Sequence, residues 1–204
     1  MNLTKFLLMD ASLMLVGLPF LLIFQSGKAK ASLIENLNGT TSINQFSINL
    51  PGNQKLAELE KVARRDGSGI EFDALIGIWK FFSVWKQKND NEDLISSSLL
   101  RLFDASLEIK KYESNQFLII NSIQFGLLSI RFNGVGKLKG KQPLLPFYFD
   151  TIELKVGLSV LFNRSLEKPE EKNMPFFALI SIEKNGKWLS ARGRGGGLAL
   201  WLKG

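Results

Sequence analysis

The sequence has no histidine and no cysteine in its 204 residues. Without histidine, the chain lacks the base of Ser-His-Asp and Cys-His catalysis and an imidazole ligand for metals. Without cysteine, it lacks a thiolate nucleophile, a disulfide, and the ligands of zinc fingers and iron–sulfur clusters. Any enzyme would have to work with carboxylates, Lys, Tyr or Ser. We therefore expect a non-enzymatic protein with no catalytic residue, no metal and no cofactor.

Tyrosine is scarce as well, with 2 residues, whereas phenylalanine is frequent, with 16. A phenylalanine ring has no polar group, so most of these rings must face a core, a cavity or a membrane. Hydrophobic residues make up 45% of the chain, which is enough for a sizeable core. The composition indicates a folded domain with an unusually aromatic interior.

Acidic residues are outnumbered, so the formal net charge is +7 and the isoelectric point about 9.6. This balance favours an anionic partner such as a membrane surface, although a solvated basic surface is the other interpretation. The candidate membrane-facing cations are Lys137, Lys139, Lys141 and Arg194. A nucleic-acid or nucleotide partner is not expected. The glycine-rich residues 193–197 lack the Gly-Lys-Ser/Thr of a phosphate loop and favour a bulge or tight turn.

Residues 1–28 form an apolar extension, and residues 29–204 form the predicted domain. The clean apolar stretch, 13–24, is short for a membrane-spanning helix of about 20 residues. A lysine precedes the apolar segment and Ala29-Lys30-Ala31 follows it, as in a secretory signal peptide. A signal or weak anchor, a start codon assigned too far upstream, and a segment that packs on the domain remain open as alternatives.

Two short helices are predicted, at 30–38 and at 54–65, the second with Asn53 as its cap. From Ile76 onward the apolar residues alternate with period two, which predicts strands. Asn185-Gly186 predicts a hairpin with a type I′ turn. The predicted strands are 77–87, 99–110, 116–124, 126–133, 153–162, 175–184, 187–192 and 197–203. Eight or nine short strands indicate an antiparallel barrel or sandwich, and an eight-stranded barrel can hold one small ligand.

Four segments carry a resemblance to a known family: KASLIENLNGT, QKLAELEKV, FDALIGIWKF and WLSARGRGGGLALWLK. In this order and spacing they resemble the PAP/fibrillin family, the plastid-lipid-associated proteins of photosynthetic organisms, and its cyanobacterial-type members. One position departs from the pattern. Members often carry Asp after the closing Arg-Gly, where this chain has Arg194, so no role of that acidic group is transferred.

The resemblance implies a mainly β protein: a lipocalin-like antiparallel β-barrel preceded by one or two short helices. In such barrels the Trp of the G-x-W motif packs against an Arg from the far end of the chain. The matching residues here are Gly77, Trp79, Arg192 and Gly193, and we expect the Arg192 guanidinium to stack on the Trp79 indole. This arrangement would close the barrel and has no chemical role.

The resemblance also implies binding of an apolar lipid, carotenoid or prenylquinone at a thylakoid or other photosynthetic membrane. The protein would be peripheral, on the cytoplasmic side unless residues 1–28 are a signal peptide, and would serve as a carrier, buffer or photoprotective sink. The alternative is a structural or interaction protein of the membrane surface with a filled barrel. The candidate ligand-binding residues are Phe81, Phe117, Phe132, Phe149, Phe162 and Phe177, for each of which plain core filling is the competing interpretation.

Overall fold

The computed structural model describes residues 50–86, 91–113, 116–141 and 143–204. The predicted extension 1–28 and the predicted helix 30–38 lie outside the described residues. The helices are α1 (Asn53–Asp66) and α2 (Leu94–Leu102), with short 3₁₀ helices at Asp73–Leu75 and Glu171–Asn173. The strands are β1 (Gly77–Trp85), β2 (Ser106–Glu113), β3 (Gln116–Phe125), β4 (Leu128–Gly136), β5 (Leu144–Val156), β6 (Ser159–Ser165), β7 (Phe176–Ile182), β8 (Trp188–Gly193) and β9 (Leu198–Lys203).

Eight of these strands close into an antiparallel barrel in the order β1-β2-β3-β4-β5-β7-β8-β9, with β9 pairing back onto β1. The ninth strand, β6, pairs with the second half of β5, from Thr151 to Val156. The first half of β5 pairs with β7 instead, at Leu144–Pro146. The lipocalin-like antiparallel barrel predicted from the alternation and the resemblance is thus confirmed. Its wall is extended on one side by the β5–β6 hairpin.

The hairpin corrects one predicted strand. The sequence predicted a single strand over 153–162 with its apolar residues on one face. The chain instead turns at Gly157-Leu158, so these residues belong to two strands, β5 and β6. Gly157 has a φ of +58°, which places it at the first central position of a type II′-like turn, where glycine meets no steric penalty.

The predicted strand 99–110 is also partly wrong, because its first residues are helical. Asp93 caps α2: its carboxylate accepts hydrogen bonds from the backbone N–H of Ser96 at 3.2 Å and from the Ser96 hydroxyl at 2.7 Å. This cap starts a helix that buries Leu99 and Leu100 against the barrel core. Strand β2 begins only at Ser106.

The core has two layers. The inner cluster fills the barrel and is joined by α2. The outer cluster lies between α1 and the outside of β1, β7, β8 and β9, where Leu56 of α1 meets Trp85 and Trp188. The helix predicted at 54–65 is therefore present and packs on the barrel wall. Its cap is Gly52, not the predicted Asn53.

The hairpin predicted at Asn185-Gly186 is present, but its turn is wider than the predicted type I′. A type I′ turn needs positive φ at both central residues, and only Gly186 has it. The Glu183 carboxylate accepts hydrogen bonds from the backbone N–H groups of Asn185 and Lys187, which supports the longer loop.

Neither described helix has the length and apolar character needed to cross a bilayer.

Candidate functional site

One end of the barrel, which we call the floor, is closed around Trp79. The indole is fully buried, and its N–H donates to the carbonyl oxygen of Leu75 at 2.7 Å. The cation over the ring is Lys203, whose Nζ lies 4.2 Å from the ring centroid and donates to the Ile76 carbonyl at 2.6 Å. Partial burial lowers the pKa of Lys203 below its ordinary value. The predicted stack of Arg192 on Trp79 is therefore wrong.

Gly77 is needed at the floor for two reasons, its backbone conformation and the space that it leaves. Its φ is +136°, a value that side chains rarely adopt, and a Cβ there would lie 2.6 Å from the Lys203 Nζ. The glycine thus leaves space for the lysine over Trp79 as well as allowing the backbone to bend.

Arg192 points outward because Leu189 and Ala191, on the same strand, face the inner core. There it joins the barrel to α1. Its Nε donates to both carboxylate oxygens of Glu60, at 2.8 and 3.0 Å. Arg64 donates to the same carboxylate at 2.6 Å. Burial by itself would raise the pKa of Glu60, but the hydrogen bonds from Arg192 and Arg64 hold it below its ordinary value.

Gly193, the residue after Arg192, begins the turn predicted in the glycine-rich run, and its N–H donates to the Gly197 carbonyl.

Aromatic rings fill much of the barrel interior. Five of the six candidate ligand-binding phenylalanines are buried there: Phe81, Phe117, Phe132, Phe149 and Phe177. A chain of ring contacts, with centroids 5.0–6.3 Å apart, runs through Phe81, Trp201, Phe177, Phe147, Phe149 and Phe132. Phe117 stacks on Phe72 at 4.0 Å, next to the floor. These rings touch one another, so their first role is packing.

Two polar atoms in this apolar interior have no hydrogen-bond partner. One is the Oδ1 of Asn121, a residue only 5% exposed, and the other is the Nε1 of Trp201. Asn121 lies on the inner face of β3, directly opposite Phe132 of β4. A buried polar atom without a partner loses the free energy of its hydration, so such atoms commonly mark the place of a water or a ligand group.

Toward the other end of the barrel lies what we call the mouth, the inner face of β3 to β6 beyond Asn121. Helix α2 packs its Leu99 and Leu100 on the core at this end. Ile130 and Phe132 are buried, and the paired Leu154 and Ile152 are partly buried against the core. Farther out on the same face, the exposure of the apolar residues rises. Phe162, which pairs with Leu154, is 46% exposed. Of the six candidate phenylalanines, Phe162 thus lies at the edge of the barrel, outside the interior predicted for it.

The turns beside the mouth are apolar as well. Phe125, Leu127, Val156 and Leu158 are all exposed. Together with Phe162 they form what we call the apolar rim. Sequence reasoning missed Leu127 because it was placed inside a strand, and Leu158 because it was counted on a buried face.

The predicted basic residues do not lie together at this end. Lys137 and Lys139 line an outer groove of about 520 Å³ near the floor, together with Tyr148, Lys168 and Glu171. In this groove Lys139 pairs with Glu171 at 3.7 Å and Lys168 lies over the Tyr148 ring at 4.7 Å.

Lys141 is exposed, two residues beyond Lys139. Arg194 lies elsewhere and donates to the backbone carbonyls of Met174 and Lys172, so it holds a loop in place.

Comparison with known proteins adds no assignment: no family model matches the chain, and no curated protein matches it.

Proposed function

We propose that this protein is a non-enzymatic barrel that binds an apolar lipid, carotenoid or prenylquinone at or near a photosynthetic membrane. The observation that carries the proposal is the mouth, a face that is apolar across β3, β4 and β5 from Leu154 to the buried Asn121. It ends on β6 at the exposed Phe162 and Arg164. Lipid sites are mostly apolar and contain a few polar groups that fix the orientation of the ligand. The resemblance to PAP/fibrillin proteins points to the same class of ligand.

The position of Asn121 suggests how such a ligand is oriented. Its Oδ1 is an acceptor without a partner, so it suits a hydroxyl on the ligand. The apolar part of the ligand would then lie along Ile130, Leu154 and Phe162 toward the mouth. The rings deeper in the barrel, around Trp201, contact one another and act as packing. We therefore place the ligand nearer the mouth than the floor.

The test is organic extraction of the purified protein followed by mass spectrometry. We expect an apolar lipid enriched over a control protein prepared in parallel, and less of it in Leu154→Arg, where a charge enters the mouth. Asn121→Leu should reduce hydroxylated lipids more than those without a hydroxyl. Tyr112→Ser, an exposed position near the floor, is the matched control. Equal lipid content in the control protein and the wild type would count against the proposal.

The second candidate is a membrane-surface structural or interaction protein with a filled barrel. The observation that favours it is the continuous chain of ring contacts through the interior. It would attach to anionic membranes through Lys137, Lys139, Lys141 and Arg194, and its binding would weaken as salt rises. Co-flotation with anionic vesicles that persists at about 0.5 M salt, where charges are screened within a few ångströms, would exclude this electrostatic attachment.

A further inference from the structure

Two leucine-tipped turns lie side by side at the mouth end of the barrel. Gly126-Leu127 joins β3 to β4, and Gly157-Leu158 joins β5 to β6. The backbone N–H of Gly157 donates to the carbonyl oxygen of Leu127 at 2.7 Å, which fixes the two turns against each other. Leu127 is 73% exposed and Leu158 is fully exposed. The two leucines therefore project into solvent as a pair.

More apolar side chains surround this pair. Phe125 and Val156 flank the two turns, and Val160, Leu161 and Phe162 follow on β6, all of them exposed. Isolated exposed apolar residues are common in soluble proteins, but a contiguous apolar surface usually marks a site of interaction. Every residue of β6 is exposed, so this strand contributes little to the core and its apolar composition requires another explanation.

We propose that the apolar rim inserts into the surface of a lipid bilayer that contains anionic lipids. Its outermost residues, Leu127 and Leu158, are the tips of two adjacent turns and project into solvent, where they can enter a soft lipid surface. Arg164 on β6 is exposed and makes no ion pair within the described chain. It lies about 20 Å from Leu158 along the strand, on the water side of the inserted tips, where a cation favours anionic headgroups. The inference deepens the proposed function and rests on it, because a rim around the mouth gives the bound lipid a direct path to the bilayer.

The outer edge of β6 limits the depth of insertion. This edge pairs with no other described strand, so its backbone N–H and C=O groups would lose hydrogen bonds to water in the hydrocarbon core. We therefore place the tips at the boundary between headgroups and acyl chains, about 5–10 Å deep. Asn163, about 16 Å from Leu158 along the strand, stays outside the acyl region.

Insertion at the rim also sets the orientation of the barrel. Strand β4 runs from Leu128, next to the rim, to Gly136 at the other end, a distance of about 26 Å at about 3.3 Å per residue. The cluster of Lys137, Lys139 and Lys141 follows Gly136. In this orientation those lysines face water, away from the bilayer.

The natural absence of cysteine makes the test direct. Single-cysteine variants Leu158→Cys, Asn163→Cys and Tyr112→Cys are labelled with an environment-sensitive fluorophore and mixed with vesicles of phosphatidylcholine and phosphatidylglycerol. We expect a blue shift, and quenching by a bilayer-embedded quencher, for the label at 158. The label at 163 should shift less, and the label at 112, near the floor, should not change.

A second measurement uses flotation of unlabelled protein with the same vesicles. Leu127→Ser/Leu158→Ser should lower the partition coefficient about tenfold or more, since both side chains would leave the lipid. Val62→Ser/Tyr112→Ser removes exposed apolar groups elsewhere and should bind like the wild type. Wild-type flotation should persist at about 0.5 M salt.

Three results would overturn the inference. The first is an unchanged emission at position 158, and the second is an equal change at 112. The third is a wild-type dimer in solution that the leucine variant dissociates while vesicles have no effect, because β6 would then pair with a second copy. A protein that inserts but carries no lipid after extraction would refute the proposed function alone, and one that carries lipid but does not insert would refute the rim alone.

Discussion

The ammonium of Lys203 lies 4.2 Å from the centroid of the Trp79 ring, and this contact closes the barrel floor. Three features act together there. The indole N–H is bound to the Leu75 carbonyl, the ammonium to the Ile76 carbonyl, and Gly77 leaves the space that the lysine occupies. The first and last strands of the described barrel are thus joined at the floor by a cation on β9 and by an indole and a glycine on β1.

The first prediction concerns this contact. Lys203→Met keeps the length of the side chain but loses the cation over Trp79 and the hydrogen bond to Ile76. We expect the free energy of unfolding to fall by about 1–2 kcal/mol, measured by urea denaturation. The near-ultraviolet circular dichroism, to which Trp79 contributes with the three other tryptophans, should change as well. The change caused by Lys203→Met should disappear in a Trp79→Phe background, and a change that persists there would show that Lys203 does not act through Trp79.

The second prediction concerns the ion pair that joins α1 to the barrel wall. Arg192→Met removes the main partner of the Glu60 carboxylate but leaves Arg64 bound to it, so we expect a loss of about 1.5–3 kcal/mol. The double variant Glu60→Leu/Arg192→Met removes both charges and should recover much of that loss. Thermal and urea unfolding of both singles and the double complete a mutant cycle. Additive losses would show that the two residues do not stabilise the fold through each other.

The third prediction follows from the lowered pKa of Glu60. A carboxyl whose pKa is lower in the folded state adds stability above its ordinary value of 4.5 and loses it as pH falls through the folded value. We expect Glu60→Gln to be less stable than the wild type near neutral pH, and the difference to shrink below about pH 4 as Glu60 becomes protonated. Urea unfolding from about pH 7 to about pH 3 measures it. A difference that stays constant over this range would contradict the assigned cause.

The fourth prediction tests a glycine inside the barrel wall. A Cβ on Gly134 would overlap the Tyr148 carbonyl oxygen and lie 2.7 Å from the Phe149 Cα, both backbone atoms. The register of β4 and β5 also shifts at this residue, from Asn133 to Gly134. We therefore expect Gly134→Ala to destabilise the fold by about 3 kcal/mol or more. Gly52→Ser, at an open position that caps α1, should be neutral or slightly stabilising. Similar melting temperatures for the two variants would contradict this.

Much of the barrel could be predicted because alternation is a local property of each strand. The alternation failed at 153–162 because apolar residues continue on both sides of Gly157, and a single glycine also fits an uninterrupted strand. The alternation also failed at 99–102, because these residues belong to a helix that begins after its cap, Asp93, which accepts a hydrogen bond from Ser96. The alternation itself contradicts the prediction for Arg192, since Leu189 and Ala191 lie on the opposite face of β8.

The candidate site was less predictable than the fold. Phenylalanine alone does not distinguish a filled interior from a mouth, and Phe162 differs from Phe132 only in how many strands pack around it. Asn121 resembles any polar residue in an alternating strand, and its burial depends on β2 and β4 on either side. The rim depends on a hydrogen bond between two turns that are about 30 residues apart in the chain.

By itself, the sequence determined the absence of histidine and cysteine chemistry, the aromatic content of the interior and the alternation that gives an antiparallel barrel. Tertiary structure decided which cation covers Trp79, which carboxylate meets Arg192 and which apolar residues remain exposed at the mouth. The physical reason is that alternation selects a face within one strand. Contacts between faces depend on the register of strands from distant parts of the chain, such as β1 and β9.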